Sequence, residues 1–359
     1  MPSIFSHRPE SLTEDSLLMF DESVTKFLST HATEDAMAQW RHDKAVARSL
    51  WAEAAKAGFL CLGISEEYGG AGLDFRYEAV FAEAIHRHGL DAFGAPLHNA
   101  IVAPYIEAYG TEEQKQRWLP KMAQGELIGA IAMTEPGAGS DLRGIKTNAR
   151  RDGGDYVING SKTFITNGQT ADLIIVAVKT GEGQQSNAIS LVVVETANAP
   201  GFSRGRNLDK LGLEAADTSE LFFNDMRVPV GNLLGGEEGR GLPQLMQKLP
   251  QERLLIALDA IGGIERALTH TIAYVKERKA FGQAIADFQN TQFKLAECKT
   301  EANVARVFAD HCILRLVNND LDTTTASMAK YWITDLHNKI VDQCLQLFGG
   351  FGYMLEYPI

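Results

Sequence analysis

The sequence lacks the marks of several protein classes. No apolar run approaches the ~18 residues of a membrane-spanning helix, and no stripe of clustered lysine and arginine is present. The formal net charge of −12 disfavours nucleic-acid binding, because the chain repels the phosphate backbone. No segment is of low complexity, so long disorder is not expected. The 359 residues, 45% of them hydrophobic, can instead bury a large core over two or three domains.

Cysteine is also scarce, and its spacing excludes a zinc knuckle. The four cysteines lie far apart in the sequence, each among apolar neighbours: Cys61, Cys298, Cys312 and Cys344. This usage is typical of small core residues in a reducing compartment. Three histidines lie closer together, at His86, His88 and His98. Their spacing fits no helical ligand pair and no carboxylate joins them. We expect surface or capping histidines and no metal site.

The first twenty residues, "MPSIFSHRPESLTEDSLLMF", contain no uninterrupted apolar region of the kind a secretory signal needs. They include Glu10, Glu14 and Asp15, and a mitochondrial transit peptide avoids acidic residues. The sequence therefore predicts a cytoplasmic protein without a membrane span.

Residues 1–128 have the apolar spacing of helices. Leu17, Phe20, Val24, Phe27 and Leu28 share one helical face after the start signal "SLTED". "RSLWAEAAKAGFL" predicts a second helix, which ends near a glycine, and "YEAVFAEAIHRHG" predicts another after the glycine-rich "EEYGGAGLD". We expect an all-α N-terminal domain.

Between residues 129 and 238 the period of the pattern changes to two. "DYVINGSKTFIT" alternates on both sides of Asn159-Gly160, which is a strong hairpin signal. "ADLIIVAV" and "AISLVVVET" are short, apolar and rich in β-branched residues, as buried strands are, and "TSELFFNDMRVP" closes the set. No helix of ordinary length separates these segments, so the pattern predicts an antiparallel β-barrel or sandwich.

Residues 239–359 return to helical spacing over three long segments. Apolar residues recur every three or four positions from Leu254 to Val275, from Leu295 to Leu316, and from Met328 to Cys344. With a fourth helix, such segments form an antiparallel four-helix bundle. The whole chain is expected to be an α+β multidomain protein with domains at 1–128, 129–238 and 239–359.

The stretch "AMTEPGAGSD" from Ala132 to Asp141 is rich in small residues. A dinucleotide or P-loop glycine motif requires a helix directly afterwards, and here strands follow. Both nucleotide-binding interpretations therefore fail. Two possibilities remain open from the residues alone: a plain turn, or a loop that lets a ligand approach backbone N–H groups closely.

Seven segments together resemble the acyl-CoA dehydrogenase family in their order and spacing, and the match covers nearly the whole chain from Tyr68 to Ile359. They are "EEYGGAGLD", "AMTEPGAGSD", "YVINGSKTFITN", "LDKLGLEAADTSELFFNDMRVP", "ERLLIA", "ERKAFGQAIADFQ" and "LQLFGGFGYMLEYP". The resemblance implies an FAD-dependent oxidation of an acyl-CoA to the trans-2-enoyl-CoA, with electrons passed to an electron-transfer flavoprotein. Two alternatives are an oxidase of the same fold and a non-catalytic binding or assembly homologue.

The resemblance also implies which residues contact FAD. In the family, Thr134 contacts the pyrimidine side of the ring, Thr166 lies near flavin N5, and Phe164 replaces an aromatic residue that is often tryptophan. Arg278, Phe281 and Gln289 match positions at the pyrophosphate and adenine side, commonly across a subunit interface, which implies a homo-oligomer, usually a tetramer. The other matching positions are Ile131, Ala132, Met133, Gly139, Ser140, Ile165, Gln346, Gly349 and Gly350.

The catalytic base is expected in "KLPQERLLIA". Long-chain and isovaleryl members of the family carry their carboxylate at the position of Glu252, with substrate-contacting positions at Pro250, Gln251, Arg253 and Ser140. Other members carry it in a C-terminal Tyr-Glu-Gly-Thr stretch, which would lie beyond Ile359. From the residues alone, Pro250 also suits the first position of a helix, where Glu252 would only complement the helix dipole.

Overall fold

The computed structural model describes residues 4–5, 8–180 and 188–359, and its contacts divide the chain into two compact units. We call one the helical unit; it contains the described residues of 1–30, Phe75–Leu90 and Pro250–Ile359. We call the other the mixed unit; it contains His31–Asp74 and the described residues of 91–249. The division into three domains at 1–128, 129–238 and 239–359 stays a prediction.

Ten α-helices run through the described residues, seven of them before the first strand. They are α1 Asp15–His31, α2 Glu34–Asp43, α3 Arg48–Lys56, α4 Phe75–Arg87, α5 Ala95–Leu97, α6 Ala103–Tyr109, α7 Glu112–Ala123, α8 Gly241–Glu277, α9 Gln289–Val317 and α10 Thr323–Phe348. The predicted helical character of the N-terminal region is confirmed. In α1 the predicted face is buried at Leu17, Val24, Phe27 and Leu28. A capping box at Thr111 and Gln114 begins α7, which satisfies two of its first free N–H groups.

The core of the helical unit lies among α8, α9 and α10, where the apolar spacing predicted long helices. Leu258, Ile261 and Leu268 of α8 pack with Ala305 of α9 and Ile333 of α10, all of them buried. Three long helices are therefore confirmed, and the four-helix arrangement stays a prediction. All four cysteines are buried, as expected for core residues, and none of them forms a disulfide: Cys61, Cys298, Cys312 and Cys344.

The mixed unit contains one large sheet. Its strands are β1 Gly129–Ala132, β2 Asn148–Asp152, β3 Asp155–Thr166, β4 Leu173–Thr180, β5 Ala188–Glu195, β6 Phe202–Asn207 and β7 Thr218–Pro229. The strand order is β1-β4-β2-β3-β7-β6, with β5 paired to the other side of β4, and the core covers one face with residues such as Ile158, Val176 and Phe223. A two-stranded sheet of β8 Lys279–Ala280 and β9 Gln283–Ala284 lies in the helical unit.

The antiparallel prediction holds for β2–β3, β3–β7, β4–β5 and β6–β7. It is wrong for the other edge of β4, which pairs in parallel with β1 along four residues and with β2 at one position. A parallel pair needs a long crossover connection. The chain between Ala132 and Leu173, which includes the β2–β3 hairpin, provides one. Apolar patterning predicted the strand β4 but carries no information about its direction, and it did not predict β1.

The predicted hairpin at Asn159-Gly160 is also wrong. Both residues lie inside β3, at a shift in its register with β7. The hairpin turn lies earlier, at Gly153-Gly154, between the paired residues Asp152 and Asp155. Gly160 has a φ of 146°, and a Cβ there would lie 2.4 Å from Oγ1 of Thr147. Close packing between segments therefore requires this glycine, whereas turn formation does not.

His98 does not lie on the surface, which corrects the prediction for that histidine. It is fully buried in a π-helical turn between α5 and α6. Its Nδ1 accepts a hydrogen bond from the Gly129 N–H at 3.0 Å, so Nε2 carries the proton and donates to the Met122 carbonyl at 3.2 Å. Burial lowers the pKa of His98 to about 4, and the ring is neutral.

His86 and His88 are partly buried near the end of α4, and His86 lies 3.2 Å from Asp259. In the described ranges, no three His, Cys, Asp or Glu side chains come together as metal ligands. None of the helices that the structure describes is both long and apolar enough to cross a membrane.

Candidate active site

Glu252 lies in the interior of α8. Because α8 begins at Gly241, Pro250 does not open the helix, and the alternative role of Glu252 as a first-turn residue is wrong. Its side chain is partly buried, as are those of its neighbours Pro250 and Gln251. A carboxylate at mid-helix gains little from the helix dipole, whose effect is confined to the end turns. Its position therefore needs a different reason.

Arg253, next to Glu252, is held by a neighbouring helix. Its Nη1 donates a hydrogen bond of 3.0 Å to Oγ of Ser327 in α10, and that hydroxyl in turn donates to the Thr323 carbonyl at 2.5 Å. This bond to α10 holds the Arg253 guanidinium in one position beside the turn of α8 that carries Glu252.

The glycine-rich segment after β1 contains a tight turn. Glu135 and Ala138 bond each other through both backbone N–H groups, at 2.9 and 3.1 Å. Neither Gly137 nor Gly139 has a positive φ, and a Cβ at either would meet nothing within 4 Å. The turn geometry therefore does not explain these glycines. Of the two possibilities that the sequence left open, this geometry favours a loop that a ligand can approach, and that interpretation stays a prediction.

The sequence-predicted residues around this turn differ in exposure. Ile131 and Ala132 lie in β1 and are buried, Met133 and Thr134 are partly buried, and Gly139 and Ser140 are exposed. Of these, Ala132 belongs to the core of the sheet, so a ligand would meet its backbone and not its side chain.

Phe164 occupies an irregular position in β3. The register with β7 shifts between Lys162 and Ile165, and Phe164 at this bulge has a φ of 61°. A bulky residue in left-handed backbone costs free energy, about 1–3 kcal/mol. Nevertheless its ring is 67% exposed, while Ile165 points into the core and Thr166 is partly buried. The bulge turns a large aromatic ring out of the sheet, which is typical of a functional site.

Two residues that sequence reasoning missed connect these segments. The buried ammonium of Lys162 lies 2.9 Å from Oε1 of Glu135 and donates to the Met133 carbonyl at 2.9 Å. Burial lowers the pKa of Lys162, against the attraction of Glu135. Burial alone would raise the pKa of Glu135, but hydrogen bonds from Thr147, Lys146 and Lys162 hold it below its ordinary value. The sequence did contain a sign of this buried lysine. Side chains alternate along a strand, and Lys162 falls on the same alternation as the inward-facing Tyr156 and Ile158 of β3.

In the helical unit, four of the predicted cofactor positions line one cavity of about 600 Å³: Arg278, Gln346, Gly349 and Gly350. The Arg278 guanidinium lies over the ring of Phe351, 5.2 Å from its centroid. No carboxylate pairs with it in the described part of the chain. A Cβ at Gly349 or Gly350 would meet nothing within 4 Å. The cavity thus combines a free cation, an aromatic face and accessible backbone.

Phe281 and Gln289 are exposed and do not line this cavity, whereas Asn290 does. Phe281 resembles Phe164 in its backbone, with a φ of 52°, and its ring is 97% exposed. It makes one edge contact with Phe288, at 6.2 Å between ring centroids.

Known proteins match this chain along nearly its whole length. Family profiles described as the acyl-CoA dehydrogenase N-terminal, middle and C-terminal domains match residues 14–126, 130–226 and 239–359. The mitochondrial long-chain specific acyl-CoA dehydrogenase of Mus musculus is 49% identical over 347 residues, which are 95% of this chain and 79% of that protein.

Solved structures agree. The acyl-CoA dehydrogenase of Geobacillus kaustophilus superimposes with a TM-score of 0.93 at 48% identity, covering 96% of this chain and 90% of that one. A glutaryl-CoA dehydrogenase from Mycobacterium smegmatis in complex with FADH2 gives a TM-score of 0.87 at 30% identity, covering 97% and 88%. Profiles, sequence identity and fold together show that this chain belongs to the acyl-CoA dehydrogenase family.

Proposed function

We propose that this chain, as an FAD-dependent acyl-CoA dehydrogenase, uses Glu252 to remove the α-proton of an acyl-CoA thioester. The observation that carries the assignment is the place of this carboxylate, partly buried at mid-helix beside a fixed guanidinium. The product is the trans-2-enoyl-CoA. The Mus musculus relative is specific for long chains, which supports a long-chain substrate.

The chemistry explains the need for such a carboxylate. The α-proton of a thioester is weakly acidic, so the base must be oriented towards it and removed from bulk water. The helix backbone would orient Glu252 towards that proton, and its partial burial would limit its contact with bulk water. Arg253, held by Ser327, would contact the substrate and fix the turn that carries the base. Pro250, Gln251 and Ser140 would complete the acyl-CoA contacts.

The family depends on FAD in general, and the residues of this chain fit the cofactor. Arg278 would hold the pyrophosphate, because its planar fork can bond two oxygens. Gln346, Gly349 and Gly350 would pack against the adenosine portion, and Phe281 and Gln289 would contribute across a subunit interface. The cavity around Arg278, whose guanidinium pairs with no carboxylate among the described residues, supports this role.

The mixed unit would hold the flavin ring. Thr134 and Thr166 would donate hydrogen bonds to it, and Phe164, already turned out of the sheet, would cover it. Ile131, Ala132, Met133, Gly139 and Ile165 would line the ring mainly through their backbone. When bound, FAD supplies an acceptor for the hydride that leaves the β-carbon. The task of the protein residues is to orient the thioester and to exclude water.

Anaerobic mixing of the purified protein with acyl-CoA thioesters of different chain length tests this function. We expect a yellow protein whose flavin absorbance bleaches, most rapidly with long chains. A protein that is colourless and unchanged by added FAD, or a flavin that no acyl-CoA bleaches, would support a binding or assembly role instead. Hydrogen peroxide formation in air, without reduction of an electron-transfer flavoprotein, would favour an oxidase.

The remaining parts of the proposal concern assembly and partners. Electrons would pass to an electron-transfer flavoprotein, and subunits would associate as a dimer or tetramer. A four-helix bundle and a β-barrel or sandwich remain the proposed architectures, and the cytoplasm remains the proposed location. Gel filtration with light scattering measures the oligomeric state directly.

A further inference from the structure

The mixed unit contains a buried ion pair next to the proposed flavin-binding segments. The side chains of Lys162 and Glu135 are 0% and 6% exposed. The ammonium has two oxygen partners at 2.9 Å, the Glu135 carboxylate and the Met133 carbonyl. Replacing a buried ion pair with apolar residues of similar volume is often neutral or stabilising. Fold stability alone therefore does not require this pair.

Further hydrogen bonds make the surroundings of the pair rigid. The Glu135 carboxylate accepts the backbone N–H of Lys146 at 2.6 Å and that of Thr147 at 3.0 Å. The Thr163 N–H donates to the Thr134 carbonyl at 3.0 Å. Two chain segments, one around Thr134 and one just before the Phe164 bulge, are thus fastened together through Lys162 and its partners.

The bond to the Met133 carbonyl has an electronic consequence. That carbonyl and the Thr134 N–H belong to the same peptide group. A charged donor on the carbonyl polarises the group, which makes its N–H a stronger donor, because linked hydrogen bonds reinforce one another. Within the described residues, the Thr134 N–H donates no hydrogen bond. The described residues therefore leave its donor capacity for a ligand.

We propose that Lys162 is a positioning residue that sets the reduction potential of the bound flavin by holding and polarising the Met133–Thr134 peptide group. The inference rests on the proposed function, in which Thr134 contacts the ring. Reduction places negative charge on the ring, and donors and positive charge nearby stabilise it. Lys162 thus favours reduced FAD over oxidised FAD, and the opposite charge of Glu135 limits that preference.

Two conservative variants test this with a measurement other than activity. The midpoint potential of FAD-loaded protein is measured at pH 7 against reference dyes for wild type, Lys162→Met and Glu135→Gln. We expect Lys162→Met to lose roughly tenfold in its preference for reduced flavin, a fall of about 30 mV for a two-electron couple. We expect Glu135→Gln to shift the potential upwards, because the ammonium remains without its counter-charge.

The matched control is Lys146→Met, which removes the same charge from an exposed side chain just before β2 and keeps the backbone N–H that bonds Glu135. It should leave the potential unchanged. A purely structural role for the pair predicts weaker FAD binding in both variants without shifts of opposite sign. If Lys162→Met does not fold, the sign of the shift in Glu135→Gln decides: a rise supports the proposal, and a fall or no change overturns it.

The outcomes also separate this inference from the proposed function. A wild-type protein that binds no FAD would refute both. A wild-type protein that binds FAD and is bleached by acyl-CoA, with variants of unchanged potential, would refute the role of Lys162 alone.

Discussion

The helical unit and the mixed unit present their proposed functional residues in different ways. In the helical unit, Glu252 lies within α8 and Arg278 directly follows it, on either side of the stretch from Leu254 to Val275 that the apolar spacing predicts as helix. In the mixed unit, Phe164 occupies left-handed backbone at a bulge and Lys162 is a cation buried in a strand. Helices thus orient side chains through regular geometry, whereas the sheet does so through local irregularity. Only regular geometry can be predicted from spacing.

The largest expected effect is on the rate of flavin reduction, and it tests the role of Glu252 in the helical unit. We expect Glu252→Gln to keep its bound FAD, because the amide has the same shape, but to lose at least ~10²-fold in the rate of flavin reduction by acyl-CoA, the low end for a positioned general base. Stopped-flow absorbance at the flavin band measures that rate.

Glu277→Gln is the matched control, since it makes the same change at an exposed residue at the end of the same helix. Its rate should equal that of wild type. Equal rates in both variants would remove Glu252 from the mechanism and leave the mid-helix carboxylate unexplained.

The sequence predicted the helical elements well because their signal is local and repeated. Leu254, Leu258 and Ile261 recur at helical spacing over several turns, and the structure buries all three. The mid-helix place of Glu252 could not be read from "LPQERL", because a proline is equally suited to the start of a helix. Packing of the residues from Gly241 onwards decided the matter.

The errors concentrate in the mixed unit, where distant contacts override local preference. Asn159-Gly160 has the residues of a hairpin turn, but the approach of Thr147 fixes Gly160 inside a strand. His98 has no unusual neighbours in sequence, and its burial results from contacts with Gly129 and Met122. The family resemblance named the cofactor residues but gave no indication of the Lys162–Glu135 pair.

The pH dependence of stability tests the mixed unit through His98. The pKa of this histidine falls from 6.5 to about 4 on folding, so the unfolded chain binds a proton that the folded chain does not. The free energy of unfolding is therefore unaffected by the titration of His98 above pH 6.5. As the pH falls from 6.5 towards 4, protonation of His98 in the unfolded chain lowers this free energy by about 3 kcal/mol in total. Urea unfolding at pH 7, 6, 5 and 4 measures the change.

Other groups also titrate in this range, so the comparison is with His98→Gln, whose amide can replace both hydrogen bonds but does not titrate. The free energy of unfolding of wild type should decrease more steeply than that of the variant between pH 6.5 and 4. Parallel curves would show that the buried ring does not govern acid stability.

A smaller effect is expected at the cavity of the helical unit. We expect Arg278→Ala to weaken FAD binding by roughly 10- to 100-fold, because a hydrogen bond to a charged group contributes about 1.5–3 kcal/mol. Titration of the FAD-free protein, followed by flavin fluorescence, gives the Kd. Lys279→Ala removes a neighbouring exposed charge and should change little. Equal affinity in both variants would mean that Arg278 is only a solvated charge after α8.

The smallest expected effect is on stability and comes from the backbone of the mixed unit at Gly160. Gly160→Ala places a Cβ against Thr147, so we expect a loss of about 1–3 kcal/mol in the free energy of unfolding. Gly154→Ala makes the same change in the β2–β3 turn, where a Cβ meets nothing within 4 Å and the φ is not positive. It should cost far less in urea unfolding. A larger loss for Gly154→Ala than for Gly160→Ala would support a hairpin turn at Asn159-Gly160. A larger loss for Gly160→Ala would show that β3 requires a glycine for close contact between segments and not for turn formation.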